Sequence, residues 1–277
     1  MNRELKDIFY VVKYIAGILA AAYVVFVAVT FIFQKDFIYF PKRELIITPE
    51  KTGLPYEDVF FETSGGIKLN GWFVAGFPGK KTVLFCHGNA DNISYFLDEV
   101  KQFNGMGFGV FIFDYRGYGR SGGTPCEAGT YLDAEAAWNW LTCRKRLLPA
   151  DIIVVGRSLG GAVASHLAAE HKPGFLSVES AFTSIEDMSR IKYPFLPAKY
   201  LLRYHYRTVE HIRNVRCPVL VVHSREDKEV PFSQGLRIFQ AANNPKEFLE
   251  IKGGHRDGFF TSAEVYRKGL ISFIRTK

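Results

Sequence analysis

From about residue 55 onward, short runs of β-branched and aromatic residues alternate with stretches of helical period, and this alternation admits few architectures. The runs fall near 58–63, 68–75, 82–87, 109–114, 152–157, 175–180, 218–223 and 247–252. The helical stretches fall near 92–104, 127–145, 159–171, 232–242 and 259–275. Runs such as VLF at 83–85 and IIVV at 152–155 are apolar throughout, as strands buried on both faces are. The first two runs flank Ser64-Gly65-Gly66 and read as a hairpin. Beyond them strand and helix alternate, so the expectation is an α/β fold with a mostly parallel sheet covered by helices on both faces. With 277 residues, 48% of them hydrophobic, the chain can bury one substantial core. It shows no repeats and no low-complexity tract.

The N-terminus has a different character. Residues 14–33, YIAGILAAAYVVFVAVTFIF, carry no charge, and at ~1.5 Å per residue they would span the ~30 Å hydrocarbon core of a bilayer. They read as one transmembrane helix. The stretch is longer than the ~7–15-residue apolar region of a signal peptide, and no small-x-small cleavage site precedes Gln34-Lys35-Asp36. Arg3, Lys6 and Lys13 precede it while Lys35, Lys42, Arg43 and Lys51 follow, so the distribution of positive charge leaves sidedness open. The chain thus divides into an N-terminal flank (1–13), the membrane helix (14–33), an interfacial linker (34–54) with aromatic anchors Phe37, Tyr39 and Phe40, and a globular domain (55–277).

Composition excludes little else. The four cysteines show no C-x-x-C spacing, so no metal site is expected; Cys86 and Cys217 read as buried thiols, and a Cys126–Cys143 bridge stays open. The net charge of +7 suits a membrane surface, and no nucleic-acid recognition motif accompanies it. The insertion 182–212 interleaves Tyr193, Phe195, Leu196, Tyr200 and Leu201 with Lys192, Lys199, Arg203 and Arg207. It reads equally as a short cap with a solvated basic face and as one resting on anionic lipid.

Gly156-Arg157-Ser158-Leu159-Gly160-Gly161 follows the IIVV strand and opens an Ala- and Gly-rich helix. Glycines there allow a sharp turn that presents a serine hydroxyl beside a helix N-terminus, the arrangement of a nucleophile elbow. A serine nucleophile needs an imidazole base and a carboxylate to orient it, in the order Ser, Asp, His. Asp227 lies in the loop after the strand PVLVVHS, and His255 follows the strand EFLEIKG; both stand at strand carboxyl ends, as Ser158 does. Glu226 and Glu229 share the loop with Asp227 and read as solvated. Among the seven histidines, His166 and His171 read as helix-packing and helix-end residues, His205 and His211 as surface, and His223 as a brace for the acid loop. Backbone N–H groups of Leu159 and of Asn89 in His87-Gly88-Asn89-Ala90 are the candidate oxyanion donors, with Ala90 as the alternative to Asn89. His87, Asp114 and Arg116 read as structural.

The set EDVFFETSGGIKLNGWF, HGNADN, DYRGYGRSGG, GRSLGG, CPVLVVHSREDKEVP and GGH resembles the membrane-anchored serine-hydrolase branch of the α/β-hydrolase superfamily, which includes eukaryotic protein depalmitoylases and many uncharacterised bacterial and fungal members. The resemblance implies an eight-stranded sheet, no cofactor, Ser158 as nucleophile, Asp227 as triad acid and His255 as general base. Ser224 departs from it, standing where glycine is usual. The depalmitoylases carry an N-terminal cluster of acylated cysteines, and this chain has an apolar helix instead, so their substrates do not carry over. The expected partners are an acyl ester or thioester and membrane lipids. An acyltransferase with the same acyl-enzyme and a non-catalytic tethered module are the alternatives; the module's signature would be a broken triad, and here all three residues are present.

Overall fold

The computed structural model describes residues 3–276, so the first two residues of the N-terminal flank and the last of the globular domain lie outside the described residues. Eight strands form one sheet: β1 (Glu57–Glu62), β2 (Lys68–Val74), β3 (Thr82–Cys86), β4 (Gly109–Phe113), β5 (Ile152–Arg157), β6 (Phe175–Glu179), β7 (Val219–Ser224) and β8 (Lys246–Ile251). Their order is β8-β7-β6-β5-β3-β4-β2-β1. Only β2 runs against its neighbours; β3 to β8 pair in parallel, with Val83 opposite Ile153 and Gly156 opposite Val178. The hairpin expected at Ser64-Gly65-Gly66 joins β1 and β2.

Strand alternation builds two core layers. Leu84, Cys86, Val154 and Val221 point into one, covered by α3 (Glu127–Asn139), α4 (Leu159–Glu170) and α8 (Phe232–Ala241). Val83, Phe85, Ile153 and Val222 point into the other, covered by α2 (Leu97–Gly105) and α10 (Ala263–Thr276). At the edge, β1 buries Val59 and Phe61 and turns Glu57, Asp58 and Glu62 outward, a charged margin that discourages pairing with another chain.

The expected helix 127–145 stops at Asn139 and continues as a wide turn, Trp140–Arg144. The expected helix 259–275 breaks into α9 (Gly258–Thr261) and α10, because Ser262 turns its hydroxyl onto the Lys252 backbone, accepting from N–H at 2.8 Å. The insertion 182–212 lies between β6 and β7 and folds into α5 (Ile185–Lys192), α6 (Ala198–Leu201) and α7 (Thr208–Ile212). His211 is not at the surface as expected: its half-buried ring packs edge-on against His166, which stacks on Tyr131. His205 is likewise half-buried, its N–H donating to Glu127. All four cysteines are free, so Cys126 and Cys143 are not bridged.

The N-terminal helix α1 runs from Arg3 to Ile32, longer than 14–33, and is the one described helix long and apolar enough to cross a membrane. Residues 34–41, expected as part of an interfacial linker, are instead stitched into the domain. Gln34, Ile38 and Tyr39 are buried, and Phe40–Pro41 pairs in parallel with Ala90–Asp91. The reason is local complementarity: the Tyr39 hydroxyl meets that of Tyr206 at 2.8 Å, and the Asn89 amide donates to the Ile38 carbonyl at 2.6 Å.

Candidate active site

Between β5 and α4 the chain turns on one residue. Ser158 has φ 54° and ψ −120°, a conformation that costs a side-chain-bearing residue on the order of 1–3 kcal/mol. The flanking glycines make the turn possible. A Cβ at Gly156 would run into the Gly160 carbonyl and Ala164, and one at Gly160 into the carbonyls of Cys86 and His87. Helix α4 can therefore lie against β3 and β5, and the serine hydroxyl stands at the carboxyl edge of the sheet.

Asp227 follows β7 and His255 follows β8, so the ends of β5, β7 and β8, with β6 between the first two, deliver three side chains to one place. His255 Nε2 lies 3.1 Å from Ser158 Oγ, and His255 Nδ1 lies 2.7 Å from Asp227 Oδ2. Asp227 Oδ1 accepts N–H groups of Glu229 at 2.9 Å and Val230 at 2.8 Å. Burial pushes the Asp227 carboxyl up, but the hydrogen bond and charge of His255, the Val230 amide and His223 together outweigh it and hold Asp227 below the usual carboxylate range. A carboxylate on Nδ1 keeps the proton there and leaves Nε2 free to accept from Ser158.

The neighbouring polar groups are braces. The Glu226 carboxylate accepts the Gly253 N–H at 2.9 Å and so joins the acid loop to the histidine loop. Ser224 accepts the Glu226 N–H at 3.0 Å, a turn-closing bond that glycine could not supply. His223 Nε2 donates to the Val230 carbonyl at 3.0 Å. Arg116 grips Asp133 with Nε at 3.0 Å and Nη2 at 2.8 Å, holding the loop after β4.

Asn89 and Leu159 border the same cavity as Ser158 and His255. Among the described residues neither backbone N–H has a protein acceptor. The loop carrying Asn89 passes over the serine, since a Cβ at Gly88 would stand 3.7 Å from Ser158 Cβ. The rest of Asn89 is committed elsewhere: its carbonyl accepts from Tyr118 Oη at 2.7 Å and from the Phe40 N–H at 2.9 Å. Among the described residues no group of three or more His, Cys, Asp or Glu side chains could hold a metal ion.

The cavity measures about 680 Å³, within the ~300–1,000 Å³ range of small-molecule sites. Its apolar walls come from Phe26 and Phe31 of α1, from Ile185, Met188, Tyr193, Leu196 and Leu201 of the cap, and from Phe182. Its polar rim holds Lys42, Asp91, Lys192 and Arg256, with Lys42 paired to Asp91 at 2.8 Å. Two features escaped sequence reasoning. One is the contribution of α1 to this wall. The other is a buried ion cluster one residue before the elbow, in which Arg157 meets Glu99 at 2.6 Å and Glu179 at 3.3 Å. A charged residue ending an otherwise apolar strand was the available signal.

A family model of the α/β hydrolase fold matches residues 81–181. An uncharacterized protein of Mycobacterium tuberculosis (strain CDC 1551 / Oshkosh) is 37% identical over 251 residues, 89% of each chain. Alpha/beta hydrolase domain-containing protein WAV2 of Arabidopsis thaliana is 34% identical over 285 residues, covering 93% of this chain and 91% of that one. Human alpha/beta hydrolase domain-containing protein 17B is 33% identical over 201 residues, 70% and 67% of the two chains. Among solved structures, an esterase of Pyrococcus furiosus superposes with a TM-score of 0.70 at 22% identity, covering 86% of this chain and 98% of that one. Sheet order, elbow and strand-end loops define an α/β hydrolase fold, and with these relatives the chain belongs to the α/β-hydrolase superfamily.

Proposed function

We propose that the protein is a membrane-anchored serine hydrolase that cleaves an acyl ester or thioester by way of an acyl-enzyme. The observation that carries this reading is the relay from Ser158 Oγ through His255 to Asp227, 3.1 and 2.7 Å, on the border of a largely apolar cavity. As Ser158 Oγ attacks the acyl carbonyl, its proton passes to His255 Nε2, and Asp227 stabilises the imidazolium so formed. The N–H groups of Leu159 and Asn89 are suited to hold the oxyanion. Collapse of the tetrahedral intermediate breaks the C–O or C–S bond, and His255 returns the proton to the leaving alcohol or thiol. Water then attacks the acyl-serine and gives its proton to His255, the acyl C–Oγ bond breaks, His255 returns that proton to Ser158 Oγ, and the acyl group leaves as a carboxylic acid. The reaction calls on no cofactor. Retention of α1 as an anchor is supported by its length and apolarity and by its bonds to the domain: Gln34 just beyond it is fixed on both sides of its amide, to Leu201 and Arg203.

Labelling with a fluorophosphonate tests the reading. Ser158→Ala should abolish labelling and esterase activity with no change in thermal unfolding, and Asp227→Asn should lower kcat by on the order of 10⁴-fold. Labelling of Ser158→Ala at the wild-type level would remove the serine from its role, and a large effect of Glu226→Gln with none of Asp227→Asn would move the acid.

A further inference from the structure

We infer that helix α1 is a wall of the acyl-binding site as well as a tether, and that a long acyl chain resident in the bilayer reaches Ser158 sideways, through the seam between α1 and the cap. This rests on the reading of Ser158 as the acyl-accepting nucleophile. Tyr23, Phe26, Thr30, Phe31 and Gln34 recur at helical spacing and share one face of α1 and its continuation. Phe26, Thr30, Phe31 and Gln34 border the cavity that holds Ser158 and His255. The same face is fastened to the cap at two levels. Near the helix end, the Gln34 amide donates to the Leu201 carbonyl at 3.0 Å and accepts the Arg203 N–H at 2.6 Å. Further up, Tyr23 Oη donates to the Phe195 carbonyl at 2.8 Å, and the Phe26 and Phe195 rings lie 6.0 Å apart. Between these two attachments the wall is apolar but for Thr30, whose hydroxyl donates to the Val27 carbonyl at 2.9 Å.

The upper attachment sets a depth. Tyr23 precedes the helix end at Ile32 by about nine residues, or ~13 Å along the axis at ~1.5 Å per residue. If the uncharged stretch 14–33 occupies the hydrocarbon core, the cap tip at Phe195 lies inside the membrane boundary, at the depth of an interfacial element, on the order of 10 Å. The surface chemistry of the cap agrees. Phe195 is 57% and Tyr200 82% exposed in the protein alone, with Lys199 between them in sequence and Lys192 and Arg203 on either side, cations suited to headgroups. Arg203 also sits over the Phe31 ring at 5.8 Å, an amphipathic contact at the seam. A chain entering there exchanges lipid contacts for Phe26, Phe31, Met188 and Leu196 and need not cross water. The occupant that fits is therefore a single extended acyl chain whose ester or thioester carbonyl stops at Ser158, with its polar remainder toward Lys42 and Arg256.

The test uses full-length protein in phosphatidylcholine vesicles with p-nitrophenyl esters from acetate to palmitate, alongside fluorophosphonate labelling. Phe26→Ala/Phe31→Ala should still be labelled and should lower kcat/KM for palmitate by on the order of tenfold or more relative to its kcat/KM for acetate. Val25→Ala/Val29→Ala, at least as exposed on α1 as the two phenylalanines but outside the cavity wall, should keep the wild-type chain-length profile. A wild-type profile in the phenylalanine pair, or an equal loss in the valine pair, overturns the inference while labelling shows the serine reading intact. Absence of labelling and of all ester hydrolysis in wild type sinks the serine reading, and this inference with it. Depth has its own readout: Phe195→Trp should add fluorescence quenched by lipids brominated on the acyl chain, and added fluorescence quenched only from water overturns the lateral route.

Discussion

Asp114 and His87 face each other beyond the carboxyl ends of β4 and β3, both fully buried, with His87 Nε2 3.7 Å from Asp114 Oδ1. His87 is enclosed by the rings of Phe96, Tyr115 and Tyr118, and its Nδ1 donates to the Gly88 carbonyl at 2.7 Å, so the ring supports the loop that carries Asn89. Burial pushes the Asp114 carboxyl up to about 8 and the His87 imidazole down to about 4. At neutral pH both are uncharged, in keeping with the lack of a partner for Asp114 Oδ2 and His87 Nε2 among the described residues. The two act oppositely on stability. Between about pH 4 and 8 the folded Asp114 holds a proton that the unfolded one has lost, so stability falls as pH rises. Between about pH 4 and 6.5 the unfolded His87 holds a proton that the folded one lacks, so stability rises with pH. The effects offset each other up to about 6.5, and from there to about 8 Asp114 acts alone. At about 1.4 kcal/mol per pH unit, wild type should lose about 2 kcal/mol relative to Asp114→Asn across that window. Denaturant unfolding of both proteins at three pH values measures it; a constant difference would show that Asp114 is already ionised.

The elbow is held from behind by side chains on five elements. Arg157 ends β5 in register with Glu179 at the end of β6, and its guanidinium also reaches Glu99 of α2 and lies 4.2 Å from the Phe259 ring of α9. Tyr266 of α10 donates to the Glu179 carboxylate at 2.5 Å, and Ser177 at 3.1 Å. A fully buried cation with two carboxylates is not in itself a large source of stability, but breaking it leaves charge without a partner, at about 3–5 kcal/mol. Arg157→Met should therefore destabilise by that amount. Adding Glu99→Gln should recover part of the loss, giving a non-additive double-mutant cycle in urea unfolding; strict additivity would mean that the cluster is not coupled. Such a cluster shows why the sequence is legible in some places and not in others. Ser158, Asp227 and His255 each sit in a local signature, a strand end followed by a turn rich in glycine or acids, so their convergence could be read from spacing. The sheet was legible for the same reason: its strands are short, apolar and sharply punctuated. Arg157, Glu99, Glu179 and Tyr266 meet only after four elements have packed; the charge that ends an apolar strand marks Arg157, and no local pattern marks its partners. The break at Ser262 and the burial of Tyr39 against Tyr206 are likewise products of distant contacts, invisible to periodicity.

Across the whole molecule, helix α1 and the globular domain meet at a boundary that can be cut. Among the described residues the two core layers contain none before Ile38, so α1 contributes to the cavity wall and the cap seam without contributing to the core. Deleting residues 1–33 should leave a cooperatively folding domain that is still labelled at Ser158 and still hydrolyses acetate esters. Deleting residues 1–41 also removes buried Ile38 and Tyr39, the acceptor of the Asn89 amide and the partner of the Tyr206 hydroxyl. Two buried side chains at about 1.5–3 kcal/mol each put that loss at about 3–6 kcal/mol, and the loop carrying Asn89 would lose its brace, slowing labelling as well. Calorimetry and labelling rates on the two truncations locate the boundary; equal behaviour would mean that residues 34–41 are the linker their composition resembles. On acyl substrates held in anionic vesicles, the shorter deletion should already be slow. It should slow further when Lys192, Lys199, Arg203 and Arg207 are neutralised or salt is raised, because the basic cap is then the remaining attraction to the surface and acts over only about 10 Å at 0.1 M salt. If the protein lacking residues 1–33 works on those vesicles as fast as the full chain, with no dependence on anionic lipid, then α1 only localises the enzyme and the cap is an ordinary solvated lid.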